Sequence, residues 1–299
     1  MNRFFYLLFA LLTLFLPQGA IAENDAQKPA ALYPFYLAQK GDIKVYILGS
    51  MHVGTEEDAL NDKIIDALKG SSKLIFEIAL DDLAEQTNAF AKYICKEPCL
   101  QKQLGKRLYK EIKERYPELY IFFPIYTDTI PAWLAVTTIV LIDYAKLGFS
   151  QNRGTEILLM KKRGKIKIFG LESMEEQMAM MASISMKAQR ESLNDYLNMD
   201  KAEIEAYIND LYSLFLEGDA DRLFEWYMQA SNLYAASKES IDESNQKMIF
   251  DRNRLFVDRL KLHLDSHAPV FLSIGALHLG GDKGVLALLR EEGYAISRP

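Results

Sequence analysis

Val45-Tyr-Ile-Leu-Gly-Ser-Met-His52 and Val270-Phe-Leu-Ser-Ile-Gly-Ala-Leu-His278 repeat one pattern: an apolar run, a glycine, and a histidine three residues later. Short apolar runs bounded by turn residues predict buried β-strands. Strands are expected on this ground at Lys44–Leu48, Lys73–Ile78, Lys165–Phe169 and Pro269–Ile274. Each ends beside a residue with usable chemistry: His52, Glu77, Glu172 and His278. Ligands of open α/β sheets collect outside the carboxyl ends of the strands. One site built from these residues is therefore expected.

Between the strands the chain reads as helical. Apolar residues recur at helical spacing in Asp58–Leu68, Lys201–Leu216 and Val285–Arg290, and Met174–Met199 is a long Met-rich stretch. Met174, Met178 and Met181 fall on one helical face, where core filling is expected in preference to a Met-lined binding surface. The fold class expected is α/β: a mixed sheet formed by two related halves with Gly-x-x-His turns at strand ends, plus large helical insertions at about 80–164 and 174–262. The glycine before each histidine is expected to let the chain leave its strand through backbone angles closed to other residues.

Two neutral imidazoles and a carboxylate make a three-ligand metal set with a position open to water. The candidate carboxylates are Glu77 and Glu172. A charged side chain at the end of the apolar strand Leu74-Ile-Phe-Glu-Ile78 is costly unless it is paired or metal-bound. Either an ion satisfies Glu77, or Glu77 forms a buried salt bridge and both histidines only cap turns.

The compartment is read from the start of the chain. A basic Arg3, an apolar stretch from Phe4 to Leu16 and the small-x-small end Ala20-Ile-Ala22 predict a cleaved signal peptide over residues 1–22. The apolar stretch is shorter than the ~20 residues needed to span a bilayer. Residues 23–299 then form a single exported domain, periplasmic or secreted, with no stable membrane span after cleavage. The net charge of −6 argues against nucleic acid as the main partner. Cys95 and Cys99 are the only cysteines. In an oxidising compartment they are expected to pair as a disulfide, the alternative being free or redox-active thiols.

At this point a family resemblance enters. Leu48-Gly-Ser-Met-His-Val-Gly54 resembles the opening signature of the TraB/GumN family, to which the Tiki metalloproteases are related. Ser273-Ile-Gly-Ala-Leu-His-Leu-Gly-Gly281, followed by Gly284-Val-Leu-Ala-Leu-Leu-Arg290, resembles its closing signature. Phe76-Glu77, the stretch from Gly154 through Glu172, and Asp251-Arg-Asn253 fall between them in the family's order. The resemblance implies a metal-dependent, peptidase-like hydrolase acting on a peptide or other exported substrate. By position, it implies His52, Glu77 and His278 as metal ligands and Glu172, Arg252 and Asn253 as catalytic or orienting groups. Glu172, after Gly170 on a turn, is expected to move the proton of the attacking water or to serve as a fourth ligand, and its role and that of Glu77 are open to exchange. The ion would be zinc, manganese, cobalt or iron, since mixed imidazole and carboxylate ligation suits each. Glu156 stands where the family often has aspartate, and Gly280 where proline is common. The other expected reading is a non-catalytic exported binder of peptides or glycans that keeps the fold.

His263 and His267 are spaced like the histidines of a helical zinc site, but no glutamate follows His263 and Pro269 closes the segment. They are expected to be ordinary surface residues. Trp133 is expected to form a pocket wall rather than take part in chemistry. The exported protein is expected to begin at Glu23, which N-terminal sequencing checks; a retained Met1 in a membrane fraction would overturn the leader reading.

Overall fold

The computed structural model describes residues 31–81, 83–123 and 127–299. The signal peptide expected over residues 1–22 lies outside them. A six-stranded mixed sheet runs in the order β4-β3-β5-β2-β1-β6. Its strands are β1 (Phe35–Lys40), β2 (Ile43–Ser50), β3 (Lys73–Ile78), β4 (Lys167–Glu172), β5 (Val270–Gly275) and β6 (Ala295–Ser297). The four strands β4, β3, β5 and β2 are parallel, and β1 folds back antiparallel on β2.

The last long strand is inserted between earlier ones. β5 pairs with β2 so that Ser50 faces Gly275, and with β3 so that Phe76 faces Ser273. β2 and β5, the strands that carry the Gly-x-x-His patterns, are thus neighbours in the middle of one continuous sheet. The turns beyond them differ. A 3-10 turn, Ala276–His278, follows β5, whereas the chain bends irregularly through Met51 and His52 after β2.

The reason for the glycines also differs from the expected one. Neither Gly49 nor Gly275 has a positive φ. A Cβ on Gly49 would lie 2.9 Å from Pro34 Cβ and 3.1 Å from Ala276 Cα. Glycine is needed there for close approach of two chain segments, not for unusual backbone angles.

Side chains alternate between two cores. Ile47, Ile75, Leu272 and Ile274 face helices Asp251–Leu260 and Val285–Glu291, meeting Phe256, Leu260 and Leu286. Leu48, Leu74, Phe76 and Phe271 face the other way, against Ile64 and Leu68 of helix Asp62–Lys69 and Leu159 of helix Thr155–Lys162. The expected helical insertions pack together. Leu193 and Leu197 from the second share a separate core with Leu100, Leu119 and Ile139 from the first. Cys95 and Cys99 are joined as a disulfide in the first insertion. Among the described residues no helix is long and apolar enough to cross a membrane.

Several boundaries move for local reasons. The helix expected from Asp58 begins at Asp62, because Asp58 instead closes a turn by accepting from the Thr55 N–H, and Asn61 caps the helix by accepting from Ile64. The Met174–Met199 segment is two helices, Met174–Ser183 and Met186–Asn198, with Ser185 capping the second. Met174, Met178 and Met181 are half-buried rather than core residues. β4 runs to Glu172, so this carboxylate ends a strand and is not on a turn. Gly49→Ala should lower stability by about 1–3 kcal/mol through overpacking, read as a lower urea midpoint at constant slope. An unchanged midpoint would show that Pro34 and Ala276 can give way.

Candidate functional site

The carboxyl ends of β3, β4 and β5 hold a buried polar cluster around Arg252. Glu77, Glu172 and Arg252 are each less than a tenth exposed. The Arg252 guanidinium donates to both carboxylates: Nη2 reaches Glu77 Oε2 and Glu172 Oε1, and Nε lies 3.1 Å from Glu172 Oε1. Gln177 donates to Glu172 Oε1 at 3.1 Å and to Glu77 Oε2 at 3.4 Å, and the Gly275 N–H donates to Glu77 Oε1 at 2.7 Å. A planar fork is what such shared recognition needs, and lysine could not supply it. Buried charges are tolerated here because several donors converge on each carboxylate.

The same guanidinium sets the state of His278. Arg252 Nη1 lies 3.2 Å from His278 Nε2. Arginine only donates, so Nε2 accepts. Nδ1 then carries the proton and donates to Asn253 Oδ1 at 2.6 Å, while Asn253 Nδ2 donates to the Lys283 carbonyl at 2.8 Å. Burial, reinforced by Arg252, pushes His278 down to about 4, so it is neutral at pH 7. Burial opposes ionisation of Glu77, but His278, Arg252 and the Gly275 N–H hold it down to about 2. Since His278 is itself neutral at that tautomer, the Arg252 charge is the cause to credit. Burial moves Glu172 the other way, upward, against Arg252.

Arg252 and Asn253 reach the cluster from the start of helix Asp251–Leu260. Directly before it the chain makes a wide π-helical turn, Gln246–Phe250. Turns of this kind recur at functional sites.

His52 belongs to a second group. Its Nδ1 is 2.7 Å from Glu156 Oε1, and Ser50 Oγ donates to the same oxygen at 2.7 Å. Two clips hold the pair. The Thr155 N–H donates to the Met51 carbonyl at 2.9 Å, and Gly154 packs so closely that a Cβ would lie 2.4 Å from the His52 carbonyl oxygen. The His52 side chain is 70% exposed and Glu156 only 13%. Glu156 pulls His52 upward, to about 9, against partial burial of the ring. Solvent around the exposed ring screens this pair, so the direction is what matters. Burial opposes ionisation of Glu156, but His52 and Ser50 bring its carboxyl below the usual range.

Between the two groups lies a cavity of about 330 Å³. His52, Glu77, Glu156, Gln177 and Ser273 give it polar walls, and Phe76, Ile78, Leu80 and Ile157 apolar ones. Of the residues singled out in the sequence, His52 and Glu77 line it; Glu172, Arg252, Asn253 and His278 form the layer around Arg252. Glu156, Gln177 and Ser273 were not foreseen as site residues. For Glu156 the signal was its place in the Gly154 motif, and for Ser273 its place as the polar residue of an apolar strand. His263 lies against the Phe169 ring, with centroids 5.0 Å apart, and the His267 N–H bonds Asp265. Trp133 packs edge-on against Tyr93 and does not line the cavity.

The donor types suit a divalent ion, but their placement does not. A three-ligand site needs lone pairs aimed at one point. Glu77 Oε1 and His278 Nε2 approach to 3.6 Å, yet the Arg252 guanidinium is already bonded to both side chains, and His52 is turned to Glu156. Among the described residues no three His, Cys, Asp or Glu side chains are grouped so as to hold a metal. A cationic side chain holds the position instead.

Compared with known proteins, residues 34–298 match the model of the TraB/PrgY/gumN family. No curated protein matches, and no solved structure does.

Arg252→Gln leaves two buried carboxylates sharing no cation and should cost about 3–5 kcal/mol, read as a fall in the urea midpoint. Adding Glu77→Gln and Glu172→Gln should recover part of the loss. A change below about 1 kcal/mol in the single variant would show that Arg252 does not neutralise them.

Proposed function

The chain belongs to the TraB/PrgY/gumN family, and on that premise we propose that it is an exported hydrolase of amide bonds, acting on peptides, with His52 as its proton-transfer group. The observation that carries this reading is the His52–Glu156 pair at the edge of a cavity that also exposes Glu77. Nδ1 is committed to Glu156, so Nε2 is the nitrogen available to a water in the cavity. Glu156 keeps His52 mostly protonated at pH 7, so it is the neutral form that takes the proton of that water as it attacks the scissile carbonyl and returns it to the leaving amine. Turnover therefore rises with pH towards about 9. Glu156 holds the tautomer and stabilises the imidazolium, the role a carboxylate plays behind a catalytic histidine. Glu77, kept ionised by Arg252, accepts a hydrogen bond from the remaining O–H of the water and orients it. Glu172, His278 and Asn253 keep Arg252 and Glu77 rigid. Preorganisation of this kind is what makes charged groups effective in a closed site.

The leader and the Cys95–Cys99 disulfide both support action in an oxidising compartment outside the cytoplasm. A second reading, the metal-dependent one, is favoured by the approach of Glu77 Oε1 to His278 Nε2 and by His52 sharing the Glu77 cavity. It requires Arg252 to release Glu77 and His278. An ion held by His52, Glu77 and His278 would acidify water from ~16 towards ~7.

Purified mature protein is incubated with unfolded proteins and peptide libraries, with and without chelator, and products are read by mass spectrometry. His52→Ala and Glu156→Gln should each lower turnover ~10²-fold or more with unchanged melting. Turnover that chelator abolishes, together with bound zinc, manganese, cobalt or iron lost in His278→Ala, would move the reading to the metal-dependent one. A wild type that cleaves nothing but retains a peptide or glycan is a binding module, and the hydrolase reading fails.

A further inference from the structure

Ser273 is 1% exposed, and its Oγ has no hydrogen-bond partner among the described residues. It sits in β5 between Leu48 of β2 and Phe76 of β3, in a strand where Val270, Phe271, Leu272 and Ile274 are apolar and fully buried. A buried hydroxyl with no partner destabilises a fold, and alanine would serve the strand better. The other partnerless buried atoms, on Glu118, Tyr120 and Gln189, belong to the helical insertions and line no cavity with site residues. Ser273 lines the cavity beside His52 and Glu77. Its unused hydrogen bond is therefore left for a ligand that enters this cavity and displaces the side chains covering the hydroxyl.

The neighbours say what kind. Phe76, Ile78, Leu80 and Ile157 are apolar, and the volume of about 330 Å³ lies at the small end of ligand sites. Glu77 and Glu156 face the same space, and with His52 offsetting only Glu156 the charge of Glu77 disfavours an acidic guest. An apolar side chain next to a backbone carbonyl satisfies the walls and the hydroxyl together. We propose that Ser273 is a specificity-determining residue, whose hydroxyl donates to the backbone carbonyl of an apolar residue seated in this cavity. No base is hydrogen-bonded to Ser273 Oγ, so its role is binding and not nucleophilic attack. Reading that residue as part of a substrate rests on the hydrolase proposal; the binding itself does not.

The test titrates the full mature chain with two blocked residues, N-acetyl-leucinamide and the α-amide of N-acetyl-glutamic acid, by ligand-detected NMR. The leucine probe should bind and the acidic probe should bind at least tenfold more weakly. Ser273→Ala should raise the Kd of the leucine probe about fivefold, the factor supplied by one net hydrogen bond, and should not lower the melting temperature. Ser273→Thr keeps the hydroxyl and should restore most of the affinity, which a purely packing role would not produce. Equal binding by wild type and Ser273→Ala, equal binding of the two probes, or no binding of either overturns the proposal. Probe binding as expected with no peptide cleaved leaves it standing and sinks the hydrolase reading. Peptide cleavage with kcat/KM unchanged in Ser273→Ala does the reverse.

Discussion

Two buried carboxylates at the ends of adjacent parallel strands repel each other, and burial weakens the solvent screening between them. Arg252 resolves this by placing one guanidinium between Glu77 and Glu172, and Gln177 and the Gly275 N–H donate further hydrogen bonds to them. Much else follows from that choice. The guanidinium leaves His278 only an acceptor role at Nε2, which fixes its tautomer and so the orientation of Asn253. It keeps Glu77 charged where Glu77 meets the cavity. It also occupies the ground on which Glu77 and His278 would otherwise chelate an ion.

The sheet order makes this cluster possible. Insertion of β5 between β2 and β3 brings His278 within 3.6 Å of Glu77, although 200 residues of chain separate them. The helical insertions do not disturb the sheet because they bury their own apolar core, in which Leu193 meets Leu100 and Ile139. His52 stands apart because its strand leads into a loop clipped to Gly154 and Thr155, which delivers Glu156 instead of a metal-type partner.

What was readable in the sequence followed this division. The four parallel strands stand out because short apolar runs bounded by turn residues mark strands without any tertiary knowledge, although β4 continues through Gly170 to Glu172. β1 was not foreseen, since Phe35-Tyr-Leu-Ala-Gln-Lys40 has no clear alternation, and β6 is a three-residue, largely exposed edge. Pairing was less accessible than position. Arg252 has Asp251 as its neighbour in sequence, yet bonds Glu77 and Glu172, at separations of 175 and 80 residues. The reason for Gly49 was hidden for the same cause, because crowding by Pro34 and Ala276 exists only after the sheet has closed.

The π-helical turn Gln246–Phe250 has a further consequence for this arrangement. Along an α-helix each residue advances the phase by about 100°, and a wide turn absorbs one residue more than the regular spiral would. The direction in which Arg252 faces is therefore set by a count, not by the side chains of the turn itself. Shortening this segment by a single residue could leave a sound helix behind and still swing the guanidinium away from both carboxylates. Spacing at this point in the chain is a kind of reading frame for the site, and substitutions within Gln246–Phe250 should be far better tolerated than deletions.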